Sequence, residues 1–408
     1  YRLGPDRFLV IANASNAAAR KRMIAALATG DAPLYAAFQD ALRQAEGESH
    51  LVRATGRYPL TGRGDVNTYA LFAESNRAIL SPTGRFGCIV PTGIATDATT
   101  QYFFRDLMDT GTLASLYDFE NRSAVFPGVH RSYKFCLLTI AGPGRPATGG
   151  ADVVFFALAT EDLRDDWRRF SLSAADIALL NPNTRTCPIF RSQRDAELTK
   201  SIYRRVPVLI EEGPPEKNPW GIKFSTMFHM ANDSGLFRTR EELEPQGGRL
   251  AGNVFVMPAG ERYLPLYEAK MIHQFDHRWA TYKGLDSGDV PQDDKRRPEC
   301  AALPRYWVLQ SDVVKRVLGD WRRGWLLGWR DICRSTDERT VISCPIPMGG
   351  VGDTLLLAFP SEEYLDTLTC LVACWSSFVF DFAARQKLGG THLKYFTFKQ
   401  LPVLSPAD

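Results

Sequence analysis

An α/β fold followed by an α+β domain is what the sequence predicts, on three observations. Between residues 67 and 142 the periodicities run helix, strand, helix, strand, strand, which is the pattern of one half of an α/β sheet. The last two strands are joined through a Phe-Pro-Gly turn, where Pro presets one backbone angle and Gly supplies conformations that other residues avoid. Beyond Phe190 the regularity fades, and long connections such as EEGPPEKNPWG and DSGDVPQDDKRRPECAALP separate short strands and helices. The 408 residues can bury two or three real cores, and 45% apolar with 23% charged residues is a globular balance.

RFLVIANASNAAARKRMIAALATGDAPLYAAFQDALRQAEG reads as two helices broken at Gly30 and Pro33. After the polar loop TGRYPLTGRGD, the stretch NTYALFAESNRAILSPTG puts Tyr69, Phe72 and Ile79 on one helical face. RFGCIVP then reads as a short buried strand, Thr99 to Asp109 as a helix, and LASLYDF and YKFCLLTIAG as strands. Composition turns to Gly, Pro, Ala and Thr between Gly142 and Ala151, a boundary signal. The expected divisions are 1–150, a connecting 151–189, and 190–408. No internal repeat is visible.

No apolar run approaches the roughly 20 residues that cross a bilayer, and no charged-then-apolar leader opens the chain, so no membrane partner and a cytoplasmic location are expected. Eight cysteines without a CxxC pair read as scattered buried thiols in a reducing compartment. A net charge of +3 is too small to establish a nucleic-acid partner. Locally, KRVLGDWRRGWLLGWRDICR (Lys315 to Arg334) sets six basic residues against two acidic ones, among three tryptophans. That pattern fits either a surface meeting phosphates and bases or a partly buried amphipathic helix.

FENRSAVFPGVHRSYKFCLLTIAG, Phe119 to Gly142, places Phe126 at the tip of a turn with His130, Arg131 and Lys134 behind it. An aromatic at such a tip needs a partner: a local core, another subunit, or a flat ligand that stacks on it. Three motif look-alikes fail on context. NPWG at Asn218 lacks a second proline, NPNT at Asn181 lacks an aromatic and follows a helix, and GGVGD at Gly349 precedes a strand where a phosphate cradle opens a helix. HQFDH at His273 lacks the glutamate of a metalloprotease motif, and no metal is assigned.

RGDVNTYALFAESNRAILSPTGRFGCIVPTGIATDATTQYFF, followed by SLYDFENRSAVFPGVHRSYKFCLLTIAG, resembles the later part of the catalytic domain of gamma-arrangement adenine-specific DNA methyltransferases. The similarity is to the large methylases of type IIG restriction-modification and BREX-like phage-defence systems. It continues through MFHMANDSGLF, PLYEAKMIHQFDHRWATY, GWRDICRSTDERTVISCPIP and ARQKLGGTHLKYFTFKQLPVL. The resemblance implies the C-terminal half of a Rossmann-like methyltransferase sheet followed by a target-recognition domain, acting on double-stranded DNA with S-adenosylmethionine.

The same resemblance gives the residues roles. Such enzymes swing the target adenine out of the stack, and Phe126 matches the aromatic that receives it. His130, Arg131 and Lys134 are expected near backbone phosphates. Arg330, Arg334 and Arg339 match the recognition region, and the Gly389-Gly390 turn is expected to present Lys387, His392 and Lys394. The family's cofactor loop and its Asn-Pro-Pro-aromatic motif precede the stretch matched at Asn67 and are not found here, so no cofactor-binding residue is assigned. The expectation is a fragment that is inactive alone, with its upstream catalytic half on the same or another chain; the alternative is a DNA-binding or assembly module.

Overall fold

The computed structural model describes residues 7–14, 17–319 and 321–407. The chain divides into two compact units between Ser75 and Asn76.

The first unit contains α1 (Arg7–Ala12), α2 (Ala17–Gly30), α3 (Ala32–Ala54) and most of α4 (Thr68–Ala78). The break expected at Gly30 and Pro33 is present: α2 ends on Gly30, Pro33 lies in the first turn of α3, and the Asp31 carboxylate accepts from Leu34 N at 3.2 Å. The polar loop after α3 is tied down by Glu74, whose carboxylate accepts from Leu60 N, Thr61 N and Thr61 Oγ1 at 3.1, 2.9 and 2.5 Å. That bonding corrects the expected face of α4. Ala70, Ala73 and Glu74 turn inward, while Phe72 and, just past the helix, Ile79 are 68% and 83% exposed.

In the second unit, β1 (Arg85–Pro91) leads through the short α5 (Gly93–Thr96) to α6 (Gln101–Asp109), which buries Phe103, Phe104, Leu107 and Met108 at helical spacing. β2 (Leu113–Glu120) and β3 (Lys134–Ala141) form the expected antiparallel hairpin. β3 lies between β1 and β2, and β1 is an edge strand with only Val90 buried, which corrects its reading as a buried strand. Its apolar composition is that of a strand covered on both sides, and only the pairing shows that one side is open.

Residues 151–172 are part of this sheet as well as a connection. β4 (Ala151–Ala157) pairs parallel to β2, and β5 (Phe170–Leu172) completes the order β1-β3-β2-β4-β5. Gly150 makes the entry possible, because a Cβ on it would meet Leu172 O at 2.4 Å. α7 (Ala174–Leu180) and α8 (Gln193–Tyr203) follow.

The remainder mixes short strands and helices, as expected. β6 (Lys223–Ser225), α9 (Arg240–Leu243), β7 (Arg249–Ala251), β8 (Val254–Val256), β9 (Arg262–Tyr267), β10 (Ala280–Lys283), β11 (Asp286–Asp289), α10 (Gln292–Lys295), β12 (Trp307–Leu309) and α11 (Gln310–Arg316) come in order. β13 (Trp325–Arg330), β14 (Ser343–Pro347), β15 (Gly350–Val351), β16 (Leu355–Phe359), α12 (Leu368–Trp375), α13 (Phe378–Arg385) and α14 (Tyr395–Phe398) complete the chain. One sheet runs β12-β9-β8-β7, another β14-β13-β16-β6. A core around Trp329, Trp375 and Phe398 joins β13 to the C-terminal helices, with Trp329 stacked on Phe398 at 3.9 Å. Of the basic-aromatic stretch, therefore, Trp321 and Trp329 point inward as core residues. Among the described residues no single helix is long and apolar enough to cross a membrane.

Candidate nucleic-acid interface

The β2–β3 loop is locked by one side chain. Asn121, fully buried, donates through Nδ2 to Phe126 O (3.0 Å) and Val129 O (2.8 Å), and its Oδ1 accepts from Phe126 N at 2.9 Å. Phe126 meets Phe135 edge-on at 4.9 Å, and Phe135 stacks on Phe119 at 5.3 Å. The ring thus takes a local core as partner on one side and stays 37% exposed on the other. Val125, Val129 and Tyr133 of the same loop are 51%, 44% and 65% exposed, an unusual concentration of apolar surface on one loop.

Beneath the loop lies Asp118, wholly buried. Its carboxylate accepts from Thr92 Oγ1 (2.6 Å) and Phe156 N (3.1 Å), with Lys134 Nζ at 3.8 Å. Phe156 has a left-handed backbone, φ 59°, costing on the order of 1–3 kcal/mol in a bulky residue. The hydrogen bond to Asp118 offsets that cost, as do Lys134 and Arg191, which lie 3.8 and 4.2 Å from the ring centre. Burial, and then the charge of Asp118, push the thiols of Cys136 and Cys187 up.

Above this floor opens a cleft of about 380 Å³ whose walls come from three separate stretches: Glu120 to Lys134, Arg334 to Thr336, and Leu388 to Thr391. It brings His130, Arg131, Lys134 and Arg334 together. His130 Nδ1 sits 2.8 Å from Ser132 Oγ, and Arg131 has no hydrogen bond or ion pair among the described residues. Lys134 is largely buried, with carboxylates of Asp118 and Glu120 at 3.8 and 3.9 Å, so its charge is already balanced from below. The Arg334 backbone is fixed by Arg334 N donating to Asp337 Oδ2 (2.8 Å) and Thr340 Oγ1 donating to Arg334 O (3.0 Å), while the residue stays exposed. Gly389 abuts Thr96, where a Cβ would meet Oγ1 at 2.9 Å, which sets the third wall against α5.

The other expected contacts are placed differently. Lys387 is not presented by the Gly389-Gly390 turn: it is buried, and Nζ donates to Leu180 O, Asn181 Oδ1 (2.7 Å) and Gln400 O (2.6 Å). Burial pushes its pKa well below the usual lysine range. Arg330 is turned inward to Ile272 O, and Arg339 donates to Ser376 O with Phe378 4.8 Å beneath its guanidinium, so neither has a free fork for a base edge. His392 and Lys394 are partly exposed, but both hold Asp331 Oδ2, at 2.8 and 2.7 Å. Asp118, Asn121 and Asp331 carry little signal in the sequence: Asn121 and Asp331 are polar residues just past a strand, and Asp118 is an acid within β2. Lys387→Met is expected to cost about 2–4 kcal/mol in urea unfolding, because three buried acceptors lose their donor. An unchanged midpoint would contradict this.

The look-alike motifs do not fit a methyl-donor or adenine site. Asn181 is spent between Thr186 O and Lys387, and Asn218 accepts from Ile222 N at 2.9 Å and donates to Ile222 O at 3.0 Å. Gly349, Gly350 and Gly352 are closed by Pro265 O, Val308 and Met230, so their small size serves packing against β9.

No family model and no curated protein match the sequence. Among solved structures, the chain is similar to the type IIG restriction endonuclease BpuSI, with 12% identity and a TM-score of 0.32 over 88% of this chain and 44% of that one. It is also similar to the type IIL restriction-modification enzyme MmeI, solved in complex with DNA, with 10% identity and a TM-score of 0.40 over 76% of this chain and 38% of that one. The chain thus spans less than half the length of either.

Proposed function

We propose that the chain binds duplex DNA as the C-terminal part of a site-specific adenine N6-methyltransferase of a restriction-modification or phage-defence system. The observation that carries this reading is the cleft gathering His130, Arg131, Lys134 and Arg334, one wall of which comes from the same locked loop that carries the partly exposed Phe126. Arg131 and Arg334 hold phosphates, and an extruded adenine lies against the open face of Phe126. Among the described residues neither Asn-Pro turn nor the Gly349 turn fits an S-adenosylmethionine site, so on this reading the methyl donor and the amine acceptors belong to a further catalytic half. The unpaired edge of β1 is where that half would pair, whether it lies on the same chain or on another.

Fluorescence anisotropy on two short duplexes, one fully paired and one with an extrahelical adenine, tests the reading. The chain is expected to prefer the extrahelical adenine, Phe126→Ala to lose about 1–3 kcal/mol of that preference, and Phe126→Trp to keep most of it. No binding to either duplex, or equal loss in both variants with intact folding, would contradict it.

A further inference from the structure

The turn at His273 to Asp276 holds an aromatic residue where glycine is the ordinary occupant. His273 N donates to Asp276 O at 2.7 Å and Asp276 N to His273 O at 3.1 Å, leaving Gln274 and Phe275 as the two tip residues. Phe275 has φ 60°, the left-handed region, and a positive φ at the second tip residue is the arrangement that selects Gly or Asn. A phenyl side chain there is strained, and burial does not compensate it, since the residue is 70% exposed. The turn itself is held firmly. Asp276 is paired with Lys295 at 2.6 Å and accepts from Arg278 N at 2.8 Å. Gln274 donates to Val341 O at 3.3 Å, Arg330 holds Ile272 O, and His273 packs on Trp279 at 4.4 Å.

The cations beside the turn are already engaged, Lys295 on Asp276 and Arg330 on Ile272 O. What the turn presents at its tip is the exposed ring of Phe275. The turn is tied to the Arg334 wall of the cleft: Gln274 donates to Val341 O at 3.3 Å, and the neighbouring Thr340 Oγ1 donates to Arg334 O at 3.0 Å. These linked contacts span less than one helical turn of a duplex, about 34 Å, so a duplex held in the cleft is long enough to meet the tip.

Resting on the DNA reading above, we infer that Phe275 is a wedge that enters the base stack of the bound duplex and fills space vacated there. The held turn fixes the direction in which the side chain leaves the backbone, so only rotation within the side chain is left to order when the stack opens. Apolar side chains that unstack base steps in this manner act beside phosphate contacts made elsewhere on the surface. Phe126 and Phe275 then have separate tasks, one receiving a base and the other replacing it.

The test uses the full chain and two labelled duplexes, one intact and one with a single abasic site, compared by anisotropy at low salt. Wild type is expected to prefer the abasic duplex by about 5- to 150-fold, the range of one base-aromatic stack. Phe275→Ala and Phe275→Gly lose that preference and keep their affinity for the intact duplex, Phe275→Trp retains it, and Phe275→Gly melts no lower than wild type. A melting temperature lowered by Phe275→Gly, or a preference that survives Phe275→Ala, overturns the wedge while leaving DNA binding standing. Wild type that binds neither duplex overturns the DNA reading and the wedge with it.

Discussion

Asp381→Ala is expected to lower stability by about 3–5 kcal/mol and to loosen one wall of the cleft, the largest effect of any single substitution considered. Asp381 is buried in α13. Its Oδ1 accepts from Thr340 N and Val341 N, each at 2.8 Å, and its Oδ2 from Arg385 Nε at 2.8 Å. Arg385 in turn donates to Ser335 O, Asp337 O and Glu338 O at 2.9, 2.7 and 2.8 Å. One carboxylate thus fixes the 334–340 loop directly at its end and indirectly through an arginine. Removing it leaves two buried amides without acceptors and two guanidinium groups, Arg385 and Arg339, without their shared counter-charge, the situation in which breaking a buried pair costs most. Urea unfolding followed by the buried tryptophans Trp329 and Trp375 reads the effect directly. A midpoint equal to wild type would show that the loop does not depend on this acid. Asp381→Asn keeps an acceptor for the amides and is expected to lose less.

What could be read in the sequence follows from how far apart the deciding residues lie. The Gly30–Pro33 break, the helix ending at Asp109 and the β2–β3 hairpin rest on neighbours a few positions apart, and each is in place. Lys387 sits in a polar, glycine-marked stretch that reads as surface, yet its partners Leu180 and Asn181 lie more than 200 positions away. Arg330 and Arg339 mislead for the same reason, since nothing near them announces that Ile272 O and Ser376 O will claim their guanidinium groups. β1 and the Phe72 face fail differently, because an apolar residue's type does not say whether anything covers it. For the cleft, the hairpin cations and Arg334 were legible one by one. Their assembly was not, because it is made by Asp118 and Asp381, buried acids whose amide and hydroxyl partners lie 26 to 41 positions away, and by Asn121, whose bonds close its own loop without any pattern in residue type to mark it.

The second large effect is expected on DNA affinity, in Arg131→Ala combined with Arg334→Ala. Both residues are exposed and line the cleft, and Arg131 has no internal partner among the described residues, so removing their side chains leaves the fold's own hydrogen bonds intact. Each phosphate contact releases counterions and contributes about 0.9 to the slope of log affinity against log salt. The double variant should therefore bind every duplex more weakly and flatten the salt dependence by about 1.8, with an unchanged unfolding midpoint. Arg339→Ala serves as the counterpart: its guanidinium is spent on Ser376 O, the ring of Phe378 and the carboxylate of Asp381 at 3.8 Å, so it should unfold more easily and keep the wild-type salt slope. Burial thus separates the two kinds of arginine by experiment. A double variant that retains the full slope would move the phosphate contacts out of the cleft, and a flattened slope in Arg339→Ala alone would place them beside α13.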